Sequence, residues 1–172
     1  MKMKYFYRFL FILIPIFMIG CPLVSKYPLG ESRNAPMDKR YIGKWVLPKS
    51  TDNDEATLWI LPFNETEYLI EGISDGEVER YRAYLTVIDN VHILNYQTIT
   101  ERENKIVHIP EREYLFIKIS LSDNNVLTLW GIENKGFKED HTKEELFQYV
   151  QKNIGNDNVY DKVAELKRDV QN

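Results

Sequence analysis

Residues that could catalyse a reaction or bind a metal are few and far apart in this sequence. The three histidines, His92, His108 and His141, are separated by 16 and 33 residues, and Cys21 is the single cysteine. Zinc sites need three or four such ligands, commonly at short recurring spacings. We therefore predict no catalytic site, no metal and no cofactor, and we expect that the protein is not an enzyme.

Cys21 directly follows an N-terminal segment of the export-signal type. The first eight residues contain three basic residues and no acidic one, and the apolar stretch Phe9–Ile19 comes next. A helix over this stretch would reach roughly 17 Å, about half of the ~30 Å hydrocarbon core of a membrane. We interpret residues 1–20 as a signal peptide. The alternative, a retained membrane anchor, is disfavoured by Pro15, which weakens a helix.

The residues Met18-Ile19-Gly20-Cys21 resemble the lipobox of bacterial lipoproteins. In that family a diacylglyceryl group is added to the cysteine sulfur, the signal is cut before the cysteine, and the new amine is usually acylated. The resemblance implies that Cys21 carries palmitate-type lipid and ties the mature chain to a membrane. Two or three acyl chains give stable attachment, whereas one chain does not. The alternative is a buried core cysteine, but no amphipathic N-terminal helix supports it.

The segment after the cysteine, residues 21–37, contains prolines at three spaced positions. Proline disfavours helices and sheet ladders, so we expect an extended tether. In lipoproteins of enteric bacteria, an aspartate after the cysteine favours retention in the inner membrane, and Pro22 stands at that position here. The resemblance therefore favours the outer membrane, with the domain in the periplasm or on the cell surface. A cell without an outer membrane would place the protein on its cell membrane.

The charge of the mature chain limits its partners. Removing the three basic residues of the signal from 22 leaves 19 basic against 26 acidic residues, a formal charge of −7. This balance argues against a nucleic-acid partner, which a basic surface would attract.

Residues 38–172 have the composition of a single β domain. Turn signals at Asp75-Gly76, Asp89-Asn90 and 123–125 separate runs of β-branched and aromatic residues. The seven runs are YIGKWVL, EATLWILPF, TEYLIEGI, VERYRAYLTVI, VHILNYQTI, YLFIKISL and VLTLWGIE. Short turns between them predict a mainly β fold, an antiparallel meander that curls into a closed or partly open barrel.

The C-terminal part predicts one or two helices. Thr142 and Glu145 have the spacing of a capping box, and apolar residues follow at helical intervals up to Ile154. A second apolar spacing runs from Val159 to Val170, and we interpret it as a second helix.

Gly43-Lys44-Trp45 resembles the G-x-W sequence at the start of lipocalins and lipocalin-like barrels. In that family the tryptophan packs across the closed end, an arginine near the end of the last strand stacks on it, and the cup binds a small hydrophobic ligand. After the strand VLTLWGIE, the sequence offers only Lys135 for the arginine. The resemblance implies a cup lined by aromatic residues, for which the candidates are Trp45, Trp59, Tyr84, Tyr96, Phe116 and Trp130. The alternative is that these residues fill a plain core.

Together these patterns predict a lipid-anchored protein of the cell envelope that binds a small apolar ligand or a protein partner. An alternative is a structural or assembly accessory that acts through protein contacts. An envelope hydrolase is the weakest hypothesis, because no zinc-ligand spacing is present and lipidation would consume the single thiol.

Overall fold

The computed structural model describes residues 21–48, 56–74, 76–100, 105–108 and 112–169. The predicted signal peptide, residues 1–20, lies outside them. Within the described residues the elements are β1 Val24–Ser25, β2 Gly43–Val46, β3 Thr57–Pro62, β4 Tyr68–Ser74, β5 Glu77–Ile88, β6 Val91–Thr100, β7 Tyr114–Leu121, β8 Val126–Ile132, α1 Lys143–Asn153 and β9 Tyr160–Arg168.

Eight of the strands, β2 to β9, form a closed antiparallel barrel. Each strand pairs with the next one along the chain, and β9 also pairs with β2, which closes the sheet. The two-residue strand β1 adds to β7 outside this ring. The prediction of a mainly β, closed antiparallel barrel is therefore confirmed, and the architecture is consistent with a lipocalin-like barrel.

The seven predicted runs correspond to strands β2 to β8, in the predicted order, and β4, β5 and β6 each extend one residue beyond their run. The sequence predicts these strands because tight turns separate them. Asp89 and Asn90 have φ values of 48° and 64°, and Asn125 has a φ of 55°, so these turns use the left-handed backbone region that Asn, Asp and Gly tolerate best. Asp75 lies outside the described residues.

The predicted second helix is wrong, because residues Tyr160–Arg168 form the eighth barrel strand, β9. This strand pairs with β8 along most of its length and with β2 at its end. A register shift opposite Leu129 and Trp130 inserts an extra residue into β9, and this irregularity disrupts its two-residue alternation. Pairing with two neighbouring strands outweighs the helix-favouring composition of the segment.

The predicted first helix is confirmed as α1. The Thr142 side chain accepts a hydrogen bond from the Glu145 backbone N–H, and the Glu145 carboxylate accepts one from the Thr142 N–H, which completes the capping box. Leu146 and Val150 are buried against the outer surface of the barrel together with Phe116. Residues that carry an amphipathic helix pattern thus cover one side of the barrel and not its interior.

The interior of the barrel contains one apolar cluster, with side chains from every strand between β2 and β9. At one end, where the short helix Lys39–Tyr41 leads into β2, the cluster is fully packed around Tyr41, Trp45 and Tyr68. We call this the closed end. The hairpin turns at 89–90 and 122–125 lie at the same end, because they join the strands that finish or begin there.

The arginine that stacks on Trp45 is Arg168, not Lys135. The Arg168 guanidinium lies 4.3 Å from the centre of the Trp45 ring, and its Nη1 donates to the Ile42 carbonyl at 2.9 Å. The sequence pattern offered only Lys135 because the segment that ends at Arg168, now β9, was interpreted as a helix. Lys135 instead pairs with the Glu133 carboxylate outside the barrel.

The segment expected to be an extended tether, residues 21–37, is packed against the barrel. It contains β1, and its Leu23 and Leu29 are 1% and 0% exposed. The Leu29 backbone N–H donates to the buried Asn95 side chain at 2.7 Å. The two buried leucines attach the segment to the outer surface, and it includes a short 3-10 helix, Ser32–Asn34.

Candidate ligand-binding site

The structure separates the six aromatic residues that were predicted to line a cup. Trp45 and Tyr96 point into the barrel, where they belong to the interior cluster. Trp59 lies directly opposite Lys44 and Glu71, on the face of the sheet that Trp45 does not share, so it points outwards. The interior therefore contains two of the six predicted residues.

The other three also lie outside the barrel. Trp130 sits opposite Lys118 in the ladder, with the Lys118 ammonium 5.1 Å from the centre of its ring. Phe116 is buried beneath the N-terminal segment and α1. Tyr84 donates a hydrogen bond to the carbonyl of Gly30. Tyr84 and Phe116 occupy the phase of their strands that points away from the interior cluster.

Towards the end opposite the closed end, the barrel interior is only partly covered. We call this the mouth end, where β2, β4, β6 and β8 finish and the strands that follow them in the chain begin. Interior residues in this half are neither fully buried nor fully exposed. The set that we call the cup is Leu58, Gly72, Tyr81, Tyr96, Leu129 and Val163.

Gly72 marks open space inside the cup. It pairs with Leu58 on one side and with Glu79 on the other, in the phase of β4 that points inwards. A Cβ atom built on Gly72 would meet no heavy atom within 4 Å. The equivalent atom on Gly131, which also faces the interior, would meet the Val163 side chain at 3.4 Å. A larger side chain at Gly72 would therefore occupy the cup.

The Tyr96 hydroxyl is the polar group at the base of the cup. Its ring packs edge-on against Tyr81, with the ring centres 5.6 Å apart. The hydroxyl makes no hydrogen bond to any residue that the structure describes. Burial raises the pKa of Tyr96, which keeps the phenol neutral. The hydroxyl is not fully buried, so water or the hydrogen-bonding group of a ligand can reach it.

A carboxylate lies above the two tyrosines, nearer the mouth end. The Tyr81 hydroxyl donates to Glu79 Oε2 at 2.5 Å, and Glu79 is opposite Gly72 in the ladder. Glu77 begins the same strand, two residues nearer the mouth end. The cup therefore combines apolar walls with a phenol at its base and acidic residues at its entrance, a combination that suits a mostly apolar molecule with a polar group.

Residues 72–76 spell Gly-Ile-Ser-Asp-Gly, the letters of the G-x-S-x-G motif that carries the nucleophilic serine of α/β-hydrolases. That motif works at a sharp turn from a strand into a helix. Here Ser74 ends β4 and pairs with Glu77 at the start of β5, in a β-hairpin. The letters therefore lack the local structure that exposes a serine nucleophile.

Two histidines take part in structural hydrogen bonds. His92 Nδ1 lies 2.8 Å from the Tyr41 hydroxyl, and His141 Nε2 lies 2.8 Å from the Ser25 hydroxyl. Among the described residues, no three His, Cys, Asp or Glu side chains come close enough to hold a metal ion. No helix in the described part of the chain is long and apolar enough to span a membrane.

Comparisons of the chain with family models, with curated proteins and with solved structures found no match.

Gly72, Tyr81 and Glu79 lie in or next to the cup but were not among the residues predicted to line it. The alternation in RYRAYLTVI places Tyr81, Ala83, Leu85 and Val87 on one face; the first three lie in or against the interior cluster, and Val87 is 43% exposed. Reading the same alternation backwards from Tyr81 would also have placed Glu79 inside.

Proposed function

We propose that this protein is a lipid-anchored binding protein of the bacterial cell envelope that holds a small apolar ligand inside a lipocalin-like barrel and does not transform it. The observation that carries the binding proposal is the half-buried apolar cup at the mouth end of the barrel interior, with the Tyr96 hydroxyl at its base. The open space beside Gly72 supports it.

The lipocalin-like assignment is supported by the first and last barrel strands. Gly43-x-Trp45 begins the barrel, and the Arg168 guanidinium lies over the Trp45 ring from the end of β9. The lipobox residues before Cys21 support the anchor and a place on the outer or cell membrane. Cys21 is exposed, so its sulfur is accessible for a thioether with lipid.

The binding proposal is tested with N-phenyl-1-naphthylamine, an uncharged apolar fluorescent probe. We expect saturable binding by the wild-type protein and at least a tenfold loss of affinity in Gly72→Leu, whose side chain would fill the cup. Trp130→Phe changes an aromatic residue on the outer surface and should bind the probe as the wild type does. Absence of saturable binding, or equal binding by Gly72→Leu, would contradict the proposal.

The anchor is tested separately by intact-mass analysis of protein from its native membrane. We expect the mass of a chain that begins at Cys21 and carries two or three acyl chains. Cys21→Ser should lose incorporation of labelled palmitate. A native product with an unmodified thiol would refute the lipoprotein assignment.

A further inference from the structure

Backbone hydrogen bonds attach the chain next to Cys21 directly to the barrel. The Cys21 carbonyl accepts a hydrogen bond from the Asn134 backbone N–H at 2.7 Å, and the Leu23 N–H donates to the Ile132 carbonyl at 2.8 Å. Pro22 forms a β-bridge with Glu133 between these two contacts. Three consecutive residues thus follow the extension of β8, so the position of Cys21 relative to the barrel is fixed.

The following residues are held as firmly. Val24 and Ser25 pair with Leu115 and Tyr114 of β7, and Ser25 is 2% exposed. Further along, the Asn95 side chain receives the Leu29 N–H, and Thr86 donates to the Leu29 carbonyl. If residues 21–37 were free, they could span roughly 56 Å at about 3.3 Å per residue. In the folded protein the segment lies against the barrel and does not act as a spacer between Cys21 and the barrel.

The attachment point lies at the mouth end. Strand β8 finishes at Ile132 and strand β7 begins at Tyr114, and both residues stand at the end of the barrel where the cup is. Lipid on Cys21 would therefore emerge from the rim of the cup, at the end remote from the closed end.

A second apolar group stands at the same end. Ile106 forms a β-bridge with Thr100, the last residue of β6, and is 64% exposed. Strand β6 is separated from β8 by β7, so Ile106 and Cys21 mark two points on the rim. The closed end also has exposed apolar residues: Phe63 is 51% exposed, with the Arg82 guanidinium 5.1 Å from the centre of its ring, and Val87 is 43% exposed. Single exposed apolar residues are common, so Ile106 supports the orientation only together with the anchor.

We propose that the mouth end of the barrel rests on the membrane that holds Cys21, so that the ligand passes between the bilayer and the cup without crossing water. This inference rests on the proposed lipidation of Cys21 and on the proposed cup. It specifies the ligand as an amphiphile dissolved in the membrane, with its apolar part in the cup and its polar group at Tyr96 or near Glu79.

The test uses lipidated full-length protein in phosphatidylcholine vesicles, with a spin label at Ile106→Cys or, as the control, at Asp123→Cys in the exposed turn of the closed end. The thioether at Cys21 leaves the introduced thiol as the labelling site. Collision with oxygen and with a water-soluble nickel complex reports whether each label is in lipid or in water. We expect the label at 106 to be in the membrane and the label at 123 to be in water.

A second variant carries a flexible Gly/Ser spacer between Cys21 and Pro22. It keeps the lipid and the contacts of Leu23 but removes the fixed distance to the rim. We expect this variant to stay on vesicles and to bind N-phenyl-1-naphthylamine from water as the wild type does. Its label at 106 should move into water, and its uptake of the probe from preloaded vesicles should slow at least fivefold.

The outcomes separate the two proposals. If lipid and probe binding are present but the label at 106 is in water in the protein without the spacer, the orientation is wrong and the proposed function stands. If the label is in the membrane but the probe does not bind, the orientation stands and the proposed function is wrong. If native Cys21 carries no lipid, the orientation and the anchor part of the proposed function both fail, whereas probe binding still decides the binding part.

Discussion

The two halves of the barrel use similar aromatic residues in different ways. At the closed end, Trp45 Nε1 donates to the Tyr41 carbonyl at 2.8 Å, and the Tyr68 hydroxyl accepts from the Asp38 backbone N–H at 2.7 Å. In the cup, the Tyr96 hydroxyl has no such partner among the described residues. Similar aromatic residues thus lie in two environments: the polar atoms of Trp45 and Tyr68 bond within the protein, whereas the Tyr96 hydroxyl bonds to no described residue.

The largest expected effect is on the closed end. Trp45 is fully buried and also supports Arg168, so Trp45→Ala should lower the free energy of unfolding by about 3–5 kcal/mol. Trp59→Ala removes the same side chain from the outer face and should cost less than half as much. Urea unfolding of both variants measures the difference. Equal losses of unfolding free energy in the two variants would mean that the packing of the closed end does not contribute more to stability than the outer face.

An intermediate effect concerns the acid sensitivity of the closed end. Glu67, 4% exposed, accepts hydrogen bonds from Arg82 Nη2 at 2.6 Å and Asn64 Nδ2 at 2.5 Å. Burial alone would raise the pKa of Glu67, but these two donors hold it below its ordinary value of 4.5. Hydrogen bonds to a charged group contribute about 1.5–3 kcal/mol, so Glu67→Gln should destabilise the protein by about 2 kcal/mol at neutral pH.

The difference in unfolding free energy between the wild type and Glu67→Gln should depend on pH in one direction only. A carboxylate whose pKa is lowered by folding stabilises the native state fully above its ordinary value of 4.5 and loses this contribution as pH falls through the lowered folded value. The gap in unfolding free energy between wild type and Glu67→Gln should therefore shrink below about pH 4.5. A gap that is constant from pH 7 to pH 3 would show that the ionised form has no special role.

The smallest expected changes in unfolding free energy come from removing one hydroxyl from Tyr68 or from Tyr96. Tyr68→Phe leaves the Asp38 N–H without its acceptor and should cost about 1–2 kcal/mol of unfolding free energy. Tyr96→Phe removes a hydroxyl that bonds to no described residue and should change stability by less than about 0.5 kcal/mol. Thermal or urea unfolding of the two variants measures both changes in unfolding free energy. If Tyr96→Phe were the more destabilising change, the cup would be an ordinary part of the core.

Local signals predicted most of the barrel. Strands β2 to β8 were readable because Asp89-Asn90 and similar turns separate them and because their apolar residues alternate. The capping box at Thr142 and Glu145 is also a local interaction, and it fixed the start of α1. The sequence contains these signals within a few residues of each element.

Closure of the barrel was not predictable in the same way. The register shift that puts Val163 out of alternation exists only when β9 lies beside β8. For the same reason the partner of Trp45 was missed, since Arg168 is 123 positions away and reaches it through β9. The burial of Leu23 and Leu29 likewise depends on a surface formed by β5, β6 and β7.

The position of β9 between β8 and β2 also affects how the chain reaches its native state. Until β9 is made, the first and last strands of the meander each present an unpaired edge, and such edges invite association with other chains. If the chain is exported as proposed, N-terminus first, β9 is the last strand to arrive and these edges stay unpaired until then. We therefore expect variants that weaken β9 to aggregate more than the wild type while they fold.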